Sequence, residues 1–244
     1  MTGLYTFAVL DGDAASVDPA LRVVTGGGVV AVVEDVEVEE FEGERLERNL
    51  SDPEWLERMV RHHESVIESL LGGCAVVPMR FGSIFSTEAG LRAMLEENAT
   101  AFAEMLDCVR GRHEWGVRVV ADRDAMVRQL APAAASAGSG ADYLRRRRAE
   151  LQAESDIGVE AARIARELHD ELSGQAERAV VLQPRQPMPH TLVTAAYLVP
   201  FADQQRFLAR VQELDGRYDG VSLELTGPWP AYSFIGADVG GPRG

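Results

Sequence analysis

Residues Leu4 to Leu10 read LYTFAVL, a continuous apolar and β-branched run closed by Asp11-Gly12-Asp13. A run this short with no polar face specifies a strand buried on both sides and then a turn. Gly26-Gly27-Gly28 breaks the chain ahead of VVAVVEDVEVEEF. Val29 to Val33 reads as a second central strand. Val36 and Val38 alternate with Glu37 and Glu39 as its half-exposed end should. The two strands either form a hairpin or lie apart with another between them. A chain that opens this way has to build a sheet and cover it.

Helical periodicity supplies the cover. Ser51-Asp52-Pro53-Glu54 joins a capping side chain, a first-turn proline and an early carboxylate, the marks of a helix start. Trp55, Met59, Val60, His63, Ile67, Leu70 and Leu71 follow at helical spacing, and Gly72-Gly73 ends the helix where a left-handed residue costs least. CAVVPMRFGSIF is a strand interrupted by Pro78, which cannot donate to a ladder and so marks an edge, a bulge or a change of direction. Thr87 to Val109 is expected as one long helix, with Leu91, Met94, Leu95, Phe102, Leu106 and Val109 on its stripe. Trp115 to Ala121 alternates as a strand. A short helix over Arg123 to Leu130 and the small-residue linker PAAASAGSGAD come next. A long helical stretch runs from Ala141 to about Ala176, and Gly158 within it permits a kink. Strands at Ala179 to Gln183 and Leu192 to Val199, an amphipathic helix over Pro200 to Leu214 and a strand at Val221 to Thr226 complete the chain.

From Trp115 onward the order is strand, helix, strand, strand, helix, strand, that of the ferredoxin-like split βαβ unit. The expected fold is therefore α+β: two domains with ferredoxin-like elements, each an antiparallel sheet with helices packed on one face. The domains are placed at residues 1–111 and 112–226, with 227–244 an extended tail too rich in Pro and Gly for regular structure.

Composition removes whole classes of function. The chain carries 24 basic against 39 acidic residues, a formal charge of −15, and every basic residue is arginine. Without lysine there is no Schiff base, no lysine general base and no P-loop. The acidic balance argues against unaided binding to nucleic acid or an anionic lipid membrane. No signal peptide is evident, and no segment approaches the roughly 20 apolar residues of a membrane helix. Cys74 and Cys108 read as reduced, buried thiols, so the expected location is cytoplasmic. The run Arg145-Arg146-Arg147-Arg148 reads as a solvated helix face paired with Glu150 and Glu154.

Few motifs carry chemistry. In His62-His63-Glu64 the adjacent histidines point about 100° apart on a helix and cannot chelate one metal. His63 falls on the apolar stripe, where its ring nitrogens are expected to bond a neighbouring element. His113, His169 and His190 are scattered over different elements. Gly26-Gly27-Gly28 precedes a strand, whereas a phosphate-binding loop follows one and opens a helix. No G-x-S-x-G occurs. No catalytic residue, metal or cofactor is expected.

Two segments stand apart from this background. In Pro78-Met79-Arg80-Phe81-Gly82-Ser83-Ile84-Phe85 an arginine sits between large apolar residues, so Arg80 is expected to be buried and tied to a helix carboxylate such as Glu64. In Gly227-Pro228-Trp229-Pro230-Ala231-Tyr232-Ser233-Phe234 three aromatics share a proline-stiffened stretch, which either docks back on the protein or offers a binding ledge. Together with Leu4-Tyr5 in the opening strand, His62-His63-Glu64 followed by Val66-Ile67, Glu114-Trp115-Gly116-Val117, and Tyr143-Leu144 with its arginine run, these segments resemble the GvpL/GvpF family of gas vesicle proteins. The matching features occur in the family's order over almost the whole chain.

The resemblance implies a non-enzymatic accessory protein or assembly factor of gas vesicles, with a two-domain α+β fold and no catalytic residues to carry over. It implies contact with the small hydrophobic shell protein, GvpA, and with other gas vesicle accessory proteins. Pro78, Arg80, Phe81, Gly82, Trp229, Tyr232 and Phe234 are the candidates for partner binding. The missing lysine departs from the family's commoner pattern, and arginine does not replace it equivalently at a contact. Two other classes make distinct demands. A ligand-binding regulatory domain on a ferredoxin-like scaffold requires a pocket with convergent polar groups. An enzyme built on His62 or His63 requires one of them exposed in a cleft with a perturbed pKa.

Overall fold

The computed structural model describes residues 1–12, 17, 20–72, 74–122, 125–126, 140–183, 188 and 190–235, and the backbone alone over 140–156. The chain divides into two compact units: Met1–His113 together with Trp229–Gly244, and Glu114–Pro228.

The first unit is built on β1 (Thr2–Leu10) and β3 (Val29–Glu37), which pair directly and antiparallel. No strand lies between them. A strand not foreseen from the sequence, β2 (Arg22–Gly26), instead adds to the outer edge of β3. Gly26 pairs with Val29, leaving Gly27 and Gly28 as a two-residue turn with φ of 60° and 80°. Positive φ at both positions is the condition of a type I′ hairpin turn, and glycine meets it without a Cβ penalty. On the other side of β1 lie β4 (Val76–Pro78) and β5 (Ile84–Phe85), giving the order β2-β3-β1-β4 with β5 also on β1.

Helix α1 (Gly43–Leu50) buries no residue: its two apolar positions, Leu46 and Leu50, share one face at helical spacing but stay at least partly exposed, a signal only one turn long. Helix α2 (Pro53–Leu70) starts where the sequence places it, with the Asp52 carboxylate accepting the Glu54 N–H at 3.0 Å. The single helix expected over Thr87 to Val109 is two, α3 (Glu88–Glu97) and α4 (Ala99–Val109). Asn98 breaks it: its Nδ2 donates to the Met94 carbonyl at 2.8 Å, the local competition with the helix ladder that makes asparagine a poor interior residue.

The core of this unit joins Tyr5, Phe7, Ala8 and Leu10 to Val30, Val32, Val66, Ile67 and Leu70. Tyr5 and Phe7 cannot share a face with Ala8 and Leu10 at a strict period of two. The β1–β3 register shifts between Thr6 and Ala8, and this bulge turns the later residues onto the same side. Thr6, Val9, Ala31 and Val33 are equally buried on the remaining positions, with α4 resting on β3 and β4 and α3 on β2. Both faces of this sheet are thus covered, which goes beyond the single helical face expected. A strand as apolar as Leu4 to Leu10 needs that second layer.

The second unit runs β6 (Arg112–Ala121), α5 (Gly140–Ser173), β7 (Arg178–Leu182), β8 (Thr191–Pro200), α6 (Gln204–Leu214) and β9 (Val221–Trp229). The first two residues of β6 are counted with the first unit. The sheet order β7-β8-β6-β9 is the one a split βαβ chain must give, because the strand following each helix lands outside the central pair. Leu168 and Leu172 of α5 and Phe207, Val211 and Leu214 of α6 close over Val117, Val119, Tyr197 and Val199. Helix α5 is continuous through Gly158, where a Cβ would meet nothing within 4 Å. Gly227, Pro228 and Trp229, expected in the irregular tail, are the end of β9, an edge strand where proline is tolerated. Most of the short helix at 123–130 and of the small-residue linker lies outside the described residues, as do the side chains of the arginine run. Among the described residues no helix is long and apolar enough to cross a membrane.

Candidate functional site

Strands β4 and β5 share one edge of β1 but do not form one continuous strand. Ala8 pairs with Pro78 and Tyr5 with Ile84, so Thr6 and Phe7 face the whole segment Met79 to Ser83. The surplus loops out. Its base is fixed by two backbone hydrogen bonds of 2.8 Å, Met79 N–H to the Phe7 carbonyl and Thr6 N–H to the Ser83 carbonyl. Ser83 N–H donates back to the Arg80 carbonyl at 3.1 Å, closing a turn over Phe81 and Gly82. Gly82 has φ 80°, the conformation such a turn asks of its third residue. Pro78, lacking an N–H, loses nothing where the chain leaves the ladder.

The turn is held from beneath by side chains of β1 and α2. Gly82 N–H donates to the Tyr5 hydroxyl at 3.1 Å, and the hydroxyl lies 3.0 Å from His63 Nδ1. His63 is 4% exposed, and its ring also hydrogen-bonds the Met79 backbone. Burial pushes its pKa down to about 4 against that bond, so the ring is neutral at physiological pH. Burial likewise raises the Tyr5 phenol to about 12. Phe81 stands edge-on to His63 and Tyr5 at centroid distances of 5.7 and 6.3 Å, and Phe7 and Phe41 pack on Tyr5 from other sides. His62, one residue away, is exposed and places Nε2 2.6 Å from Glu34. Both histidines are thus engaged with neighbouring side chains, His63 with Tyr5 and His62 with Glu34.

Arg80 corrects the sequence reading. It is exposed, and no described carboxylate, Glu64 included, forms an ion pair with it. The buried members of the segment are Pro78, Met79 and Ser83. Arg80 opens a turn that faces water, and the tie to the helix expected of it runs through Gly82, Tyr5 and His63. Tyr5, noted in the sequence only as part of the opening strand, is the residue whose role under the turn the sequence reading missed. The available signal was a tyrosine inside a fully buried strand, whose hydroxyl must find a partner. Phe81, 37% exposed, projects beside Arg80.

At the end of β9, Trp229 and Tyr232 are 38% and 42% exposed, Phe234 is half-buried, and Pro230 and Ala231 between them are buried. Tyr232 N–H donates to the Pro230 carbonyl at 2.7 Å and Phe234 N–H to that of Ala231 at 3.1 Å, folding the segment into tight turns. This stretch is counted with the first unit.

The second unit repeats the helix-to-strand pairing: His169 Nδ1 of α5 lies 2.8 Å from the Tyr197 hydroxyl of β8, and burial raises the Tyr197 pKa. Neither cysteine forms a disulfide, and both are half-buried. An open concavity of about 700 Å³ lies between Val120, Asp122, His190, Tyr218, Asp219 and Ser222. One oxygen of Asp122 there caps the Ala125 N–H at 3.1 Å. Among the described residues no three His, Cys, Asp or Glu side chains converge to hold a metal ion.

The split βαβ second unit, the two antiparallel sheets and the turn on the β1 edge define a class of two-unit α+β proteins. Two solved structures share this fold. They are the gas vesicle protein GvpF of Anabaena sp. PCC7120 (TM-score 0.73, 18% identity, 97% of this chain and 99% of that one) and GvpF of Microcystis aeruginosa (0.70, 15%, 96% and 99%). In sequence, the chain is 36% identical to gas vesicle protein L of a Streptomyces species over 223 residues, covering 88% of this chain and 83% of that protein. It is 25% identical to gas vesicle protein F2 of Halobacterium salinarum over 252 residues, covering 97% and 94%. The family described as gas vesicle synthesis protein GvpL/GvpF matches residues 3–236, and the chain belongs to that family.

Proposed function

We propose that this chain is a non-enzymatic accessory protein that works in the cytoplasm at the growing gas vesicle, holding the small hydrophobic shell protein GvpA before or during its addition to the wall. The observation that carries the reading is the family match over residues 3–236. The candidate site supports it physically. Arg80 and Phe81 stand on a turn fixed by five backbone and side-chain hydrogen bonds around Met79, Gly82 and Ser83. A cation and an aromatic ring presented without ordering cost are the residue types that dominate protein interfaces. Beside the turn, β4 and β5 form a sheet edge able to receive an extended segment by strand addition. Trp229 and Tyr232 offer further exposed aromatic surface. A surface of net charge −15 keeps a complex with an apolar partner in solution.

The non-enzymatic part rests on the histidines. His63 is sealed under the turn, and His62 and His169 are engaged with Glu34 and Tyr197. The test is co-purification of the shell protein with this chain, alone and with the other gas vesicle proteins present. Arg80→Ala, Phe81→Ala and Trp229→Ala are each expected to weaken capture by about 30-fold, the loss of one hot-spot side chain worth about 2 kcal/mol. Failure of the unmodified chain to associate under any of these conditions refutes the reading.

A further inference from the structure

The hydrogens around Tyr5 make the shape of the Arg80–Gly82 turn depend on a proton. The Tyr5 oxygen accepts Gly82 N–H and so directs its own hydrogen to His63 Nδ1, which must be the unprotonated ring nitrogen. The ring's other nitrogen then carries the proton and donates to the Met79 backbone. Every donor in this chain has one acceptor only while His63 is neutral. On protonation both ring nitrogens donate: Gly82 N–H and His63 Nδ1–H both point at the Tyr5 oxygen, and the Tyr5 hydrogen loses its acceptor. Phe7, Phe41 and Phe81 pack around Tyr5 and offer the displaced hydrogen no oxygen or nitrogen to bond. One donor must be orphaned, at a cost comparable to a lost buried hydrogen bond.

We propose that Tyr5 and His63 form a proton-sensitive latch on the Arg80–Gly82 turn, closed by the neutral imidazole and released by the imidazolium. The charged groups around the latch are few. On α2 the neighbour is His62, paired with Glu34 of β3; on the turn it is Arg80, which faces water. Neither Arg80 nor a second cationic histidine favours a positive charge at His63, and Glu34 is engaged by His62. Opening of the turn returns His63 to solvent, where it takes up a proton with its ordinary affinity. With a latched pKa of about 4 against an open value near 6.5, the open fraction rises about 30-fold between pH 8 and pH 5. The device does not depend on what docks at the turn.

The experiment is native-state hydrogen exchange of the full chain from pH 8 to pH 5, comparing the amides of Gly82 and Ser83 with that of Val32 in the β1–β3 ladder. In the unmodified protein, Gly82 is expected to exchange faster than Val32, through a local opening insensitive to low urea, and to lose about 30-fold of its protection across this range. His63→Gln accepts from Tyr5 and donates to Met79 without titrating, so it is expected to flatten the pH dependence. Tyr5→Phe removes the acceptor of Gly82 and is expected to lower its protection at every pH. His62→Gln is expected to leave the profile of the unmodified protein in place. The proposal is overturned if Gly82 protection in the unmodified protein is constant with pH. It is overturned equally if Gly82 exchanges only together with Val32, or if the pH dependence follows His62.

Discussion

Gly27 and Gly28 form one two-residue turn, yet the structure separates them sharply. An alanine at either position must adopt a positive φ, of 60° and 80° respectively, which costs an L-residue about 1–2 kcal/mol. At Gly28 that is the whole effect, since a Cβ there meets nothing within 4 Å. At Gly27 the added atom lies 2.6 Å from the Leu95 carbonyl oxygen and 3.0 Å from the Ala99 Cβ. Neither neighbour is the end of a flexible side chain, so α3 has to retreat from the hairpin, adding about 1–3 kcal/mol of overpacking. Gly27→Ala is thus expected to destabilise the first unit by about 2–5 kcal/mol and Gly28→Ala by about 1–2. Exchange protection of the β3 amides reads the difference directly, as about 5- to 150-fold more loss in Gly27→Ala than in Gly28→Ala. Equal losses in the two variants would refute the account, because only the contact with α3 distinguishes them.

Other expectations follow from the same reasoning. Folded His63 titrates near 4, below its unfolded value of 6.5, so the unfolded chain binds the proton first. Its contribution is therefore complete above pH 6.5 and falls away toward pH 4 by about 3 kcal/mol, a slope in denaturant-unfolding free energy that His63→Gln removes. Glu171 bridges Arg210 and Arg217, whose guanidinium groups hold its carboxyl below the usual range. Glu171→Gln should lower the melting temperature at low ionic strength, and by less in high salt, where these partly exposed charges are screened. Leu168→Ala empties a fully buried position between α5 and the second sheet and should cost about 2–5 kcal/mol in equilibrium unfolding.

Much of this architecture can be read from residue order alone, and the exceptions have physical causes. The α2 start is local chemistry, with Asp52 and Pro53 fixing it within one turn. The βαββαβ order of the second unit follows from periodicity, and the sheet order then admits little choice. Strand β2 has no such signature: its five residues include Arg22, Thr25 and Gly26, and it is a strand only because β3 offers it an edge. Helix α1 is eight residues long with only Leu46 and Leu50 on its apolar face, a repeat too brief to mark a helix in the sequence. The Asn98 break turns on one side-chain hydrogen bond inside an otherwise regular apolar stripe. At the candidate site, the unusual segment is visible as Pro-Met-Arg-Phe-Gly, but the direction of Arg80 is not. Which residue of a looped-out strand faces water is set by the register of its two ends on β1, a long-range property. The partnership of Tyr5 with His63 likewise joins residues 58 positions apart in sequence.

The division of the chain has a consequence for how the protein is made. Met1–His113 and Trp229–Gly244 belong to one unit, and everything between them to the other. During synthesis the second unit is therefore complete in sequence while the first still lacks its closing segment. The domain that is started first is finished last, and its Arg80–Gly82 turn leaves the ribosome well before Trp229 and Tyr232 do. A chain stalled or clipped before Trp229 carries the whole second unit but lacks the part of the first that begins there.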